Sequence, residues 1–162
     1  MLSIAHVNLA PGFRGGERQT EMLIKSLAEI GCHQKLIVRR NSIQAKRLQD
    51  VENLQVHEIN QPYFLSIFSA TGCELIHAHE AKASQLAFNT SFCSGIPYII
   101  TRRVPNLMKS NFYNRLVYSR AKTVVCLSKA IQNVVKGAFP HSVTDIIPSM
   151  YSDMKVDERV SG

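Results

Sequence analysis

The sequence predicts an α/β fold: helices on both faces of a mostly parallel sheet of about seven strands. Short apolar runs alternate along the chain with segments whose apolar residues recur at helical spacing. Pro11-Gly12, Gly31, Pro62 and Gly95 punctuate the junctions. The 162 residues are 45 % hydrophobic and 19 % charged, which is enough for one packed core and too little for two.

Residues 3–9 are short, apolar and ended by Pro11-Gly12, as a strand should be. From Glu17 to Ile30, Leu23, Leu27 and Ile30 recur at helical spacing beside Ile24 and Ala28, and Gly31 closes that helix. Residues 35–40, built on Leu36, Ile37 and Val38, form a second strand, and 42–49 a short helix. Residues 54–59 alternate apolar and polar, which suits a half-covered or edge strand. Pro62 opens a segment, 63–70, too aromatic for a solvated loop. A strand at 75–79, a helix at 81–94 stopped by Gly95, and a strand at 97–103 follow. Residues 112–120 read as a helix with Phe112 and Leu116, and Tyr113 and Val117, as core pairs. Residues 123–127 are an uninterrupted apolar strand. Ser128 then caps a helix with Ala130, Ile131, Val134, Val135 and Ala138 on one stripe. The last strand is 143–147, and 149–162 are polar and without period.

The formal net charge is +7, unevenly spread. Between Glu80 and Asp145 there is no acidic residue, yet Lys82, Arg102, Arg103, Lys109, Arg115, Arg120, Lys122, Lys129 and Lys136 all lie there. Such a segment suits an anionic partner: phosphate, nucleic acid or an acidic membrane surface. Cys32, Cys73, Cys93 and Cys126 form no CxxC pair and read as small buried hydrophobes in a reducing compartment. No run approaches the roughly 20 apolar residues that span a bilayer. The first ten residues lack the basic flank of a signal peptide, so the cytoplasm is the expected location.

Ligands of open α/β sheets bind beyond the carboxyl ends of the strands. There the sequence puts Gly12 to Arg18 after the first strand, Arg39-Arg40 after the second, His77, His79 and Glu80 on the 75–79 strand, Arg102-Arg103 on the next, and Ser128-Lys129 after the apolar strand. Gly15-Gly16 lets a backbone approach a ligand, and the helix behind it aims its N-terminal amides at that space. The loop is neither a Walker A loop nor GxGxxG. Arg39-Arg40 keeps an NADP-binding oxidoreductase domain as one alternative. His77 and His79 share a strand face, but no further His or Cys lies nearby to complete a site and Glu80 faces the other way, so no metal is expected. His77 reads as a structural histidine, while His79, last on its strand, can reach the crevice. Arg102 and Arg103 cannot share a face of an extended strand, so one of them is expected in the crevice unless the strand has ended.

Together these residues resemble a family. Gly15-Gly16-Glu17-Arg18 after a first strand, with the helix end at Gly31, is similar to the opening of family 4 retaining glycosyltransferases of the GT-B fold. Glu74 to Glu80 resembles that family's fourth-strand motif. Ile99-Ile-Thr-Arg-Arg103 resembles its fifth-strand segment, above all in lipopolysaccharide-core enzymes. Val124-Val-Cys-Leu-Ser128 before a helix, then Ile146-Ile-Pro148, matches the end of the family's first half. The resemblance spans Ser3 to about Met150.

It implies a Rossmann-like αβα sandwich over residues 1–150, the acceptor-side N-terminal domain. Residues 151–162 would begin the linker, and the donor-binding C-terminal domain would be absent. It further implies a nucleotide-sugar donor, an anionic glycan or glycolipid acceptor, no metal or other cofactor, and docking on an anionic inner membrane. Gly15 and Gly16 would lie against the donor phosphate or the transferred sugar, and His79 would approach that sugar or the acceptor in the cleft as the catalytic residue. Glu17, Arg18, Glu80, Arg102, Arg103, Ser128 and Lys129 would serve the acceptor. The second alternative is a non-enzymatic module binding nucleic acid through Phe112, Tyr113, Arg115, Tyr118 and Arg120. Those spacings fit a core helix better, so no nucleic-acid partner is expected.

Overall fold

The computed structural model of the chain describes residues 1–149, in which strands and helices alternate. The polar tail expected at 151–162 lies outside the described residues. In chain order the elements are β1 (Ser3–Asn8), α1 (Gly15–Glu29), β2 (His33–Arg39), α2 (Ile43–Leu48) and β3 (Leu54–Ile59). A 3-10 turn (Tyr63–Ser66) leads to β4 (Leu75–Ala78), α3 (Ala81–Ser94), β5 (Tyr98–Arg102), α4 (Phe112–Arg120), β6 (Val124–Cys126), α5 (Lys129–Ala138) and β7 (Thr144–Ile146). The seven strands form one sheet in the order β3-β2-β1-β4-β5-β6-β7, and every neighbouring pair is parallel. This is the Rossmann-like α/β fold expected, with the alternating strand β3 at an edge.

The sequence builds this sheet because its central strands are apolar on one face. Ala5 and Val7 of β1, Ile76 and Ala78 of β4, and Tyr98 and Ile100 of β5 pack with Leu86 of α3 and Val117 of α4. Burying side chains of this size contributes on the order of 1.5–3 kcal/mol each. The other face is different. Leu36 and Val38 meet Ile24 of α1 and Leu48 of α2 in a smaller core. Beside them the buried side chains are polar: His6, Asn8, Gln34 and Gln44. The helices begin on side-chain acceptors: Glu80 for α3, Asn111 for α4 and Ser128 for α5. Gly31 and Gly95 follow α1 and α3 with φ of +78° and +75°, the left-handed geometry that glycine adopts without strain.

Three expectations change. Phe112 is 79 % exposed, and α4 buries Val117 and Tyr118 instead. The reason is the cap: Asn111 accepts from the Asn114 amide at 2.8 Å, so Phe112 is the first helical residue and projects past the core. Of the segment 63–70, Tyr63 and Ile67 pack on the core, but Phe64, Leu65 and Phe68 are exposed. Cys93 is exposed too, unlike the buried Cys32 and Cys126.

Candidate functional site

The direction of sheet growth reverses between β1 and β4, which are neighbours although β2 and β3 come between them in the chain. Loops leaving the carboxyl ends of two such strands diverge and leave a crevice. Here it has a volume of about 780 Å³. Its walls include Gly15 and Gly16 of α1, His79 and Glu80 after β4, and Arg102 and Arg103 at the end of β5. β4 stops at Ala78 and β5 at Arg102, each one residue before the end expected. That releases Arg103 from strand alternation, so both arginines line the crevice.

Neither Gly15 nor Gly16 has a positive φ. A Cβ added at Gly15 would meet nothing within 4 Å, and one at Gly16 only the Arg103 side chain, at 3.7 Å from Cδ. The turn and the packing therefore require neither glycine. What the glycines provide is bare backbone at the first turn of α1, where amides without intrahelical partners face outward.

The two acids of the crevice wall are occupied. Glu17 accepts the Arg14 amide at 2.7 Å across the start of α1. Glu80 accepts three amides: Ala83 at 2.7 Å, Lys82 at 2.8 Å and Leu9 at 3.2 Å. Its carboxylate thus caps α3 and ties that helix to the end of β1. Among the described residues the ion pairs are Glu21 with Lys25 and with Arg47, so neither Arg102 nor Arg103 has a carboxylate partner. Arg102 donates to the Asn106 carbonyl at 3.1 Å. Arg103 donates Nη1 to the His79 carbonyl at 3.0 Å, and Nη2 to His79 Nδ1 at 3.2 Å and Thr20 Oγ1 at 3.4 Å. The Nε of both arginines is buried without a hydrogen-bond partner. Burial pulls the Arg103 guanidinium below its ordinary value, and the Glu17 charge opposes that.

Behind Arg103 lies a feature that sequence reasoning missed. His6 of β1 is the register partner of His77, so a third histidine joins His77 of β4 and His79 just after it. His6 Nδ1 is 3.1 Å from His79 Nε2, and His6 Nε2 is 3.0 Å from Gln34 Oε1. Hydrogen-bond directions follow from the far end. Gln34 Nε2 donates to the Ile24 carbonyl at 2.9 Å, which turns its oxygen toward His6. His6 Nε2–H must then donate, leaving Nδ1 as acceptor for His79 Nε2–H. His79 Nδ1 is left to accept from Arg103. His77 Nε2 meets Thr101 Oγ1 at 2.7 Å. Burial drives all three imidazoles neutral: His6 falls to about 4, and His77 and His79 fall well below their ordinary value.

The expectation that no further histidine lies near is thereby corrected: ring nitrogens of His6, His77 and His79 lie within 4.8 Å of one another. They still do not fit a cation. Arg103 donates into His79 Nδ1, so the inward nitrogen of His79 carries the proton. The guanidinium would also repel a metal, and no carboxylate belongs to the group.

The remaining expected site residues divide. Glu17 lines the crevice. Arg18 does not: it points away, 6.0 Å from the Phe13 ring, in a patch with Arg47 and Glu21. Ser128 caps α5 through the Ile131 amide, and Lys129 donates to Gln132 Oε1; neither lines the crevice. Arg39 and Arg40 are likewise not among its lining residues. The imidazole of His79 lies at the crevice wall with both nitrogens engaged.

No protein-family model matches the chain, and no curated protein matches it. Solved structures do share its fold. HepE of Anabaena in complex with UDP and glucose matches with a TM-score of 0.74 at 17 % identity, over 94 % of this chain and 45 % of that one. A glycosyltransferase from Rickettsia africae matches at 0.69 and 18 %, over 91 % and 42 %. The lipopolysaccharide outer core galactosyltransferase WaaB matches at 0.66 and 13 %, over 99 % and 50 %. The chain therefore spans half or less of the length of each.

Proposed function

We propose that the chain is the N-terminal, acceptor-side domain of a two-domain glycosyltransferase. It would move a sugar, with retention, from a nucleotide-sugar donor to a lipopolysaccharide or other cell-surface glycan. The supporting observation is a crevice at the switch point whose acids are occupied by amides and whose arginines have no carboxylate partner. Gly15 and Gly16 leave room for a donor diphosphate or the transferred sugar at the positive end of α1. Arg102 and Arg103 offer planar forks to an anionic acceptor. This supplies the positive charge that such a reaction needs without a metal. His79 acts here through Arg103 rather than on the sugar, because both its nitrogens are engaged. On this reading the donor would be held by the other half of such an enzyme, so the chain alone is expected to bind without turnover.

An amide-shift titration tests this. A phosphorylated core oligosaccharide should shift Gly15, Gly16, Arg102 and Arg103. Tight NADPH binding centred on Gly12–Gly16 and Arg39-Arg40 would overturn the reading. Gly15→Ala and Gly16→Ala should leave thermal stability unchanged or raised, since alanine is favoured over glycine in helices by about 1 kcal/mol. Both should weaken oligosaccharide binding by tenfold or more. A stability loss with unchanged binding would show that the glycines serve the turn.

The acceptor would be membrane-borne, and one face suits an anionic bilayer. Phe64 of the 3-10 turn, Phe92 of α3, Leu107 before α4 and Phe112 at its first position are exposed. Phe64 and Lys82 line one groove, Leu107 and Lys109 another, and the two grooves share Gln85 of α3. Among the described residues no helix is long and apolar enough to cross a membrane, so contact would be at the surface. The chain should cosediment with vesicles containing phosphatidylglycerol and not with neutral ones. Replacing Phe64, Leu107 and Phe112 together by serine should weaken binding at least tenfold; unchanged binding would rule out this face.

A further inference from the structure

We propose that His6 is a positioning residue for Arg103: the hydrogen-bonded chain Gln34–His6–His79–Arg103 fixes the guanidinium beside Gly16 at the crevice wall. The inference rests on the reading of the crevice as an anion-binding site. Each link is within hydrogen-bonding distance, and only one assignment of protons satisfies all of them. Both histidines must be neutral and carry the proton on Nε2. Were His79 to carry it on Nδ1, that nitrogen would confront the Arg103 donor with a second donor. His6 therefore sets which face of His79 accepts, although it is itself fully buried and does not line the crevice.

The rest of the surroundings agree. Thr20 Oγ1 donates to the Gly16 carbonyl at 3.0 Å and can accept from Arg103, tying the guanidinium to the first turn of α1. His77, on the neighbouring strand, is held by Thr101 and stays outside the chain. Glu17 is the charged group that favours the Arg103 cation from the α1 side. Arg103 is thereby held by neutral partners and keeps its charge for a ligand. A carboxylate partner would have held it equally firmly while competing with any anion.

The test uses two variants and two readouts on the whole chain. His6→Gln keeps one acceptor and one donor in reach, whereas His6→Leu removes both. In ¹⁵N-histidine NMR spectra, His6 and His79 should show the neutral Nε2–H form. His6→Leu should change the His79 form and free the Arg103 Nη protons to exchange, and His6→Gln should restore both. With inorganic pyrophosphate as probe, affinity should fall at least tenfold in Arg103→Ala, about as far in His6→Leu, and less than threefold in His6→Gln. A merely structural role would lower stability in His6→Leu while leaving the His79 form and the affinity of the folded fraction unchanged. An Nδ1–H form of His79 in the unaltered chain would overturn the proposal. If the unaltered chain binds no pyrophosphate, the reading of the crevice fails, while the His79 form and Arg103 exchange still decide whether His6 positions Arg103.

Discussion

Between pH 6 and pH 5 the domain is expected to lose about 4 kcal/mol of stability, more than any single substitution discussed here would remove. The cause is the polar layer under α1. His6, His77 and His79 are held neutral by burial, and the like charges of neighbouring histidines and Arg103 add to this for His77 and His79. In the unfolded chain a histidine protonates near pH 6.5. Above that pH both states are neutral and the full stability is present. Below it the unfolded chain gains protons that the folded one refuses, so stability falls with pH. Each such histidine costs about 1.4 kcal/mol per pH unit, and three give the slope stated. Glu21, held below its ordinary value chiefly by its hydrogen bond with Arg47, adds a loss in the same direction, but only at lower pH. Typical domains have 5–15 kcal/mol in total, so a loss of this size is a large fraction of the whole. Urea midpoints at pH 8, 6 and 5 would measure this. A flat profile from pH 7 to 5 would show that the histidines protonate in the folded state. His6→Gln should reduce the slope by about a third.

Glu80→Ala is expected to cost about 3 kcal/mol, although Glu80 lies at the crevice wall and a purely ligand-binding carboxylate would cost almost nothing. Two losses add. The cap of α3 loses acceptors for the Lys82 and Ala83 amides, typically about 1 kcal/mol. The Leu9 amide, on a residue only 2 % exposed, loses its partner, and an orphaned buried donor costs about 1–3 kcal/mol. Glu80→Asp separates the two, because aspartate caps helices well but its shorter side chain reaches Leu9 less readily. It should show roughly half the loss. Thermal unfolding should fall by about 6–12 °C for the alanine variant. A shift of less than 2 °C would sink this account, and weakened ligand binding at unchanged stability would return Glu80 to the ligand.

The fold was legible because its signals are local. Most of the strands are built on short apolar runs, β3 on an alternating one, and the helices are bounded by residues that act within a few positions, such as Gly31, Gly95 and Ser128. Errors arose where neighbours in space decide. Phe112 and Val117 both occupy plausible core positions on α4, but Phe112, next to the Asn111 cap, lies at the helix end and is exposed while Val117 is buried. The crevice was half legible. Gly15, Gly16, Arg102 and Arg103 could be found from their place after strands. His6 could not, because its partnership with His77 depends on the register of two strands far apart in the chain. A faint signal did exist: His6 and Asn8 alternate with Ala5 and Val7, marking a polar strand face. Glu80 looked like a ligand for a similar reason. Nothing local says that Leu9 will lie beside it.

The sheet contains no hairpin, and this bears on when the crevice comes into being. Along the halves β1–β3 and β4–β7, paired residues are separated by about 20 to 30 positions, so each half can close on itself. In the sheet the two halves are joined by the pairing of β1 with β4, beside which His6 and His79, 73 residues apart, meet. This is the longest closure in the sheet, and it is also the floor of the crevice. Folding theory places such a non-local junction late in assembly. A partly folded intermediate with one half formed would carry Gly16 or Arg103, but not the two side by side. The crevice therefore needs both halves in place, and a chain with one half unformed has none to offer.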